Sequence, residues 1–172
     1  MADEQVQEYY DDANEEFPGK EDLKDRLVAI WVTGKKGTRR NADGGTYPWV
    51  ETITLVMDDG PDGTFSTPLV GPAPERLDKF QYSQGGLVSR LEPRISKKDG
   101  DGNLIFRPMI GRINSRKNKI KGRSDSWSIA APNEDDKAMI DSEFAELIKE
   151  ITAEVRELRT AADDSDENQA FD

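Results

Sequence analysis

The sequence predicts a mainly β domain: five short strands forming a small barrel, a helix between the third and fourth strands, and a long helix appended at the C-terminal end. Three observations predict it. Leu27–Val32 (LVAIWV) is a continuous run rich in β-branched and aromatic residues, the pattern of a strand buried on both faces. Turn-forming clusters separate further runs of this kind, at Asp58-Asp59-Gly60-Pro61-Asp62-Gly63 and at Lys97–Asn103 (KKDGDGN). Near the end, Phe144, Ile148, Ile151, Val155 and Leu158 recur at steps of four, three, four and three, the stripe of an amphipathic helix.

In order, residues 1–20 are an acidic arm without sustained periodicity, expected to stay disordered. The first strand is Leu27–Val32. Gly34–Gly45 (GKKGTRRNADGG) reads as a basic, glycine-rich loop. Tyr47–Met57 is the second strand, its two faces set by alternation. Thr64–Gly71 is a third strand, with Pro68 placing it at an edge or end. Glu75–Leu91 carries Leu77, Phe80, Leu87, Val88 and Leu91 at roughly helical spacing, broken at Gly85-Gly86: one interrupted helix or two short ones, plugging the barrel. Asp99, Asp101 and Asn103 imitate the start of a calcium loop, but Leu104 stands where glycine is required, so an Asp-Gly hairpin turn is the reading. Leu104–Asn114 and Ser126–Ala130 are the fourth and fifth strands, joined by a long basic hairpin. Asn133–Asp136 caps the last helix, which runs to Ala161 and carries Ile140, Phe144, Leu147, Ile148, Ile151, Val155 and Leu158 on one stripe. The domains are therefore the arm 1–20, the barrel 21–132, the helix 133–161 and an acidic tail 162–172. Three strands, a helix and two strands is the order of an oligonucleotide-binding (OB) barrel.

Composition narrows the chemistry. The 172 residues include no Cys and no His, which removes thiolate metal sites, disulfides and every Ser-His or Cys-His arrangement. No cofactor is expected. No apolar run reaches the roughly 18 residues of a membrane span, and the N-terminus lacks the regions of a signal peptide. The expectation is a soluble protein of a bacterial cytoplasm, whether encoded by the bacterium or by a virus replicating in it. The net charge of -11 hides a division. Residues 1–25 hold 10 acids against 2 bases, 26–132 hold 11 against 18, and 133–172 hold 14 against 4. A basic middle between acidic ends points to a polyanionic partner.

The basic residues fall in two stretches. Lys35, Lys36, Arg39 and Arg40 lie between the first two strands, beside Tyr47 and Trp49. Arg107, Arg112, Arg116, Lys117, Lys119, Lys121 and Arg123 lie in Phe106–Trp127 with a single acid, Asp125. Single-stranded nucleic acid exposes a phosphate track and base faces, so a binder combines cations along a groove with aromatic platforms. Tyr47 and Trp49 are the leading candidates for stacking. Trp127 is a further candidate, although it shares a strand face with Ile129 and also fits the core. Trp31 fits the core equally, and Phe106 fits either face.

The basic loops, the barrel order and an acidic C-terminal tail with an aromatic residue (Asp163, Asp164, Asp166, Glu167, Phe171) together resemble bacterial and bacteriophage single-stranded DNA-binding proteins of the OB-fold type. The resemblance implies non-catalytic binding of single-stranded DNA in replication or recombination. It also implies a tail that recruits replication or recombination proteins and competes with DNA for the basic groove. Catalytic readings are weaker. Asp58, Asp59 and Asp62 sit in a turn without the Glu-x-Lys of a nuclease, and Gly34–Thr38 lacks the spacing of a phosphate-binding loop. The rival reading is a phage structural or assembly protein that oligomerises through the 136–161 helix.

Overall fold

The computed structural model describes residues 23–40, 42–59, 70, 73–83, 85–116 and 126–170. Five strands, β1 (Leu27–Arg40), β2 (Thr46–Val56), β3 (Glu75–Tyr82), β4 (Met109–Arg116) and β5 (Ser126–Ala130), form one antiparallel sheet in the order β3-β2-β1-β4-β5. A short helix, α1 (Gly85–Leu91), and a 3-10 turn at Glu92–Ile95 lie between β3 and β4. After β5 come α2 (Glu134–Met139), one π-helical turn (Ile140–Phe144) and α3 (Ala145–Ala170). The helix expected to stop at Ala161 thus continues to Ala170. The sheet is open in its hydrogen bonding, with β3 and β5 as its edges.

β1 lies at the centre, and its apolar run is buried on both sides. Val28, Ile30 and Val32 face one core with Val50 and Val56 of β2, Phe80 and Tyr82 of β3, Ile113 of β4, Trp127 and Ile129 of β5, and Leu87, Val88 and Leu91 of α1. Leu27, Ala29 and Trp31 face the other core with Ile53, Leu55 and Met57, under Ile140, Phe144, Ile151 and Val155. The C-terminal stripe is therefore spent on the sheet. Leu158 is left 48% exposed, and Trp31 Nε1 donates to Thr152 Oγ1 at 3.0 Å, fastening α3 to β1. Burying these side chains stabilises by roughly 1.5–3 kcal/mol each.

One expectation fails for a physical reason. Glu75–Tyr82 is a strand and only Gly85–Leu91 is helical. Leu77 opposes Thr54 and Phe80 opposes Thr52, so three residues of β3 span two of β2. This bulge, with Lys79 at a φ of 55°, stretches the alternation of a strand into the three-residue step of a helix. Thr52 and Thr54, polar yet buried, are satisfied there: Thr52 Oγ1 donates to the Phe80 carbonyl at 2.8 Å and Thr54 Oγ1 lies 3.0 Å from the Tyr82 hydroxyl. The strand expected at Thr64–Gly71 lies outside the described residues apart from Val70, which is buried.

The loop expected from Gly34 is also largely strand. β1 passes a bulge between Val32 and Lys36, with Gly34 at a φ of 98°, and then pairs with β2 as far as Arg40↔Thr46. The described residues of the turn proper are only 42–45. β4 begins at Met109, later than expected, while Leu104 forms an isolated bridge with Lys98 across the Asp99–Asn103 turn. That turn closes as expected: Asp99 Oδ1 accepts from the amides of Asp101 and Asn103 at 2.9 and 3.0 Å. α1 docks closely on β5, because a Cβ on Gly86 would stand 2.0 Å from the Trp127 carbonyl oxygen.

Candidate nucleic-acid interface

β4 pairs with β1 only over Leu27–Ile30, and β3 pairs with β2 no farther than Val50. Residues 36–40 and 46–49 therefore pair only with each other and extend past the sheet as a two-stranded ribbon. The register Gly37↔Trp49 and Arg39↔Tyr47 puts these four on one face, while Lys36, Thr38 and Arg40 share the other with Val50, Pro48 and Thr46.

On the first face the Arg39 guanidinium sits over the Trp49 ring, 5.4 Å from its centroid, and also donates to the Gln81 amide oxygen. The indole packs against Gly37, where a Cβ would come within 2.8 Å of the ring, so only glycine permits that approach. Tyr47 and Trp49 are half-buried, while Lys35, Lys36, Arg39 and Arg40 are exposed. On the other face Lys36 Nζ meets Glu92 Oε1 at 3.0 Å, tying the ribbon to the 3-10 turn. The expected cations and aromatics between β1 and β2 are thus brought together, on a strand ribbon rather than a loop.

The second basic stretch divides. Arg112 does not face outward. Its Nε and one Nη donate to the two oxygens of Asp136 at 3.1 and 2.6 Å, and its other Nη donates to Asp58 Oδ2 at 2.6 Å and to the Asp25 carbonyl at 2.9 Å. It is an ion-pair clamp and leaves the list of phosphate contacts. Trp127 is buried at 7% exposure and also leaves it, as core. Trp31 is core as well. Phe106 is half-buried beneath two arginines of α3, Arg156 and Arg159, whose guanidinium carbons lie 5.5 and 4.9 Å from the ring centroid. Arg107 and Arg116 are exposed. Lys117, Lys119, Lys121 and Arg123 lie outside the described residues, as does Phe171. Asp163, Asp164, Asp166 and Glu167 fall within α3.

One cationic group escaped the sequence reading. Arg90 lies in the last turn of α1, Arg94 lies in the 3-10 turn, and Arg94 donates to the Arg107 carbonyl at 2.9 Å. Burial lowers the Arg94 pKa, and the charges of Arg107 and Arg90 lower it further. Their spacing in SRLEPR was the available signal, hidden because the segment read as a plug.

Asp58 and Asp59, the described acids of the Asp-Gly-Pro turn, have structural partners. Asp58 Oδ1 accepts from the Leu27 amide at 2.9 Å, and Asp59 Oδ1 from the Ala73 amide at 2.7 Å. No group of three or more Asp or Glu side chains suited to a metal ion occurs among the described residues. A separate cleft of about 580 Å³ lies between β2, β3 and α3, with Ile53, Ile95, Leu104 and Leu158 in its lining. At its rim Arg76 grips both oxygens of Glu154 at 2.8 and 2.7 Å, and that bond holds the Glu154 carboxyl below its usual range. No described helix is long and apolar enough to cross a membrane. Comparison of the chain with protein-family models, curated proteins and solved structures finds no match.

Proposed function

We propose that the chain is a non-catalytic single-stranded DNA-binding protein acting in replication or recombination, and that the β1–β2 ribbon is its principal contact. One observation carries the reading: four exposed cations, one of them stacked on a half-buried tryptophan, lie on or at the base of a ribbon that leaves the sheet, in a chain whose net charge is -11. Lys35, Lys36, Arg39 and Arg40 bind phosphates. The Arg39–Trp49 pair and Tyr47 offer flat surfaces for bases, each stacked base contributing about 1–3 kcal/mol with little sequence preference. Arg116, Lys117, Lys119, Lys121 and Arg123 add further phosphate contacts, and the acidic tail regulates access or recruits partners.

The sheet is read as an OB barrel opened between β3 and β5. Support comes from the order of elements and from the single core in which side chains of both edges meet α1. The rival reading, an assembly protein oligomerising through its last helix, has less support, since that helix's apolar stripe already covers the sheet.

The test is a titration of the full chain with oligo-dT and with duplex of equal length at several salt concentrations. Preferred binding of single strands, weakening steeply with salt, is expected from counterion release. Absence of single-strand binding at low salt defeats the proposal.

A further inference from the structure

The ribbon alone makes a short track. Glu92, which receives Lys36, stands between Arg90 and Arg94, so the ribbon is joined directly to the arginine group of α1 and the 3-10 turn. Glu92 is the only acid in the segment that carries Arg90 and Arg94, and its charge is committed to Lys36. Arg94 is turned toward Arg107 by its bond to the Arg107 carbonyl, which uses one of its five donors. The side chains of Arg90 and Arg107 have no hydrogen-bond or ion-pair partner among the described residues. Among the described residues these three guanidinium groups thus have no carboxylate paired to them, and like charges held together repel. A fold that keeps such a group gains from it only when an anion arrives. The planar, forked donors of Arg suit a phosphate better than a point charge would.

From this juxtaposition we infer that Arg90, Arg94 and Arg107 form a second phosphate-binding point on the polynucleotide path, continuous with the ribbon through the Lys36–Glu92 bridge. The inference rests on the proposed single-strand binding. In the bound state a backbone phosphate competes with Glu92 for Lys36, so that Lys36 passes from one track to the other.

The experiment measures anisotropy of labelled oligo-dT with the full chain across a salt series. It compares wild type, Arg90→Gln, Arg107→Gln, a ribbon variant (Lys36→Gln with Arg39→Gln), and Lys149→Gln as an exposed bystander on α3. Each single arginine variant is expected to weaken binding roughly fivefold at low salt. Each should also reduce the slope of log K against log salt by about 0.7, the value for one phosphate contact on a single strand. Arg94→Gln is less informative because it also releases the Arg107 carbonyl. Wild-type affinity and slope in both Arg90→Gln and Arg107→Gln, with a weakened ribbon variant, would overturn the inference and leave the proposed function standing. Failure of the wild type to bind removes the proposed function itself and is seen before any variant is made.

Discussion

Arg112 of β4 holds Asp136 at the start of the C-terminal helix through two parallel hydrogen bonds, 3.1 Å from Nε to Oδ2 and 2.6 Å from Nη to Oδ1. Asp136 also completes the helix cap: its amide donates to Asn133 Oδ1 at 2.7 Å and its carboxylate accepts from the Asn133 amide at 3.2 Å. One carboxylate therefore ends the loop after β5, begins the helix and fixes it to the sheet. Asp136→Ala or Arg112→Gln should destabilise the fold by about 3 kcal/mol, because each leaves a charge of opposite sign poorly paired in a largely buried place. Arg112→Lys should recover little, since lysine cannot form the fork. Denaturant titration reads the shift in midpoint.

The same pair sets an acid limit. The bond to Arg112 depresses the Asp136 carboxyl below its ordinary 3.8, with help from the Asn133 amide and against the opposing effect of burial. A carboxyl depressed on folding contributes its full stability above the unfolded value and loses it as pH falls through the folded value. Unfolding free energy should therefore decline from about pH 4 downward, and Asp136→Asn should flatten that decline. Glu154 is depressed likewise, but its side chain is 53% exposed, so solvent screens its contribution. Unfolding curves at stepped pH for both proteins provide the check.

Of the three tryptophans, Trp31 and Trp127 are buried and Trp49 alone is half-exposed. Emission changes on adding oligo-dT should therefore report on the ribbon. Trp49→Ala should abolish most of the change and weaken binding about tenfold, the value of one stacked base. Gly37→Val should weaken it too, by pushing the indole off the strand. A full emission change retained in Trp49→Ala would place the stacking elsewhere.

Docking of the last helix is tested by two positions one face apart. Ile151 is 1% exposed beneath the sheet, and Ile151→Ala should cost about 3 kcal/mol through the cavity it leaves. Leu158 is 48% exposed, and Leu158→Ala should stay within about 1 kcal/mol. Thermal or denaturant melts of the two variants give the comparison. Equal costs would mean that Leu158 is covered in solution, which the rival oligomer reading requires.

What was legible in the sequence follows from where local pattern and tertiary structure agree. Leu27–Val32 is fully buried because helices cover both faces of its strand, which an unbroken apolar run signals directly. Asn133 and Asp136 announced a helix start three residues apart, and the Asp99 turn carried its own chemistry. Leu77 and Phe80 misled because a bulge inserts one residue, and period three is read as helix. The glycines at 34 and 37 suggested a loop; one serves a bulge and the other admits an indole. Arg112 could not be told from its basic neighbours, since its partners Asp58 and Asp136 lie 54 and 24 residues away. The cluster of Arg90, Arg94 and Arg107 was invisible for the same reason, being assembled only when the 3-10 turn meets the start of β4.

The bulge at Thr33–Lys35 has a consequence of parity. Between Val32↔Thr52 and Lys36↔Val50, β1 advances four residues while β2 advances two. Both steps are even, so the alternation of inward and outward side chains passes through the irregularity unchanged. Removing one residue from this stretch would make the count odd and carry Arg39 to the face opposite Trp49, separating the cation from the ring with no change to either. Removing two would restore it. The chain at this point tolerates changes of length only in pairs, a constraint on insertions and deletions that falls on the number of residues rather than on their identity.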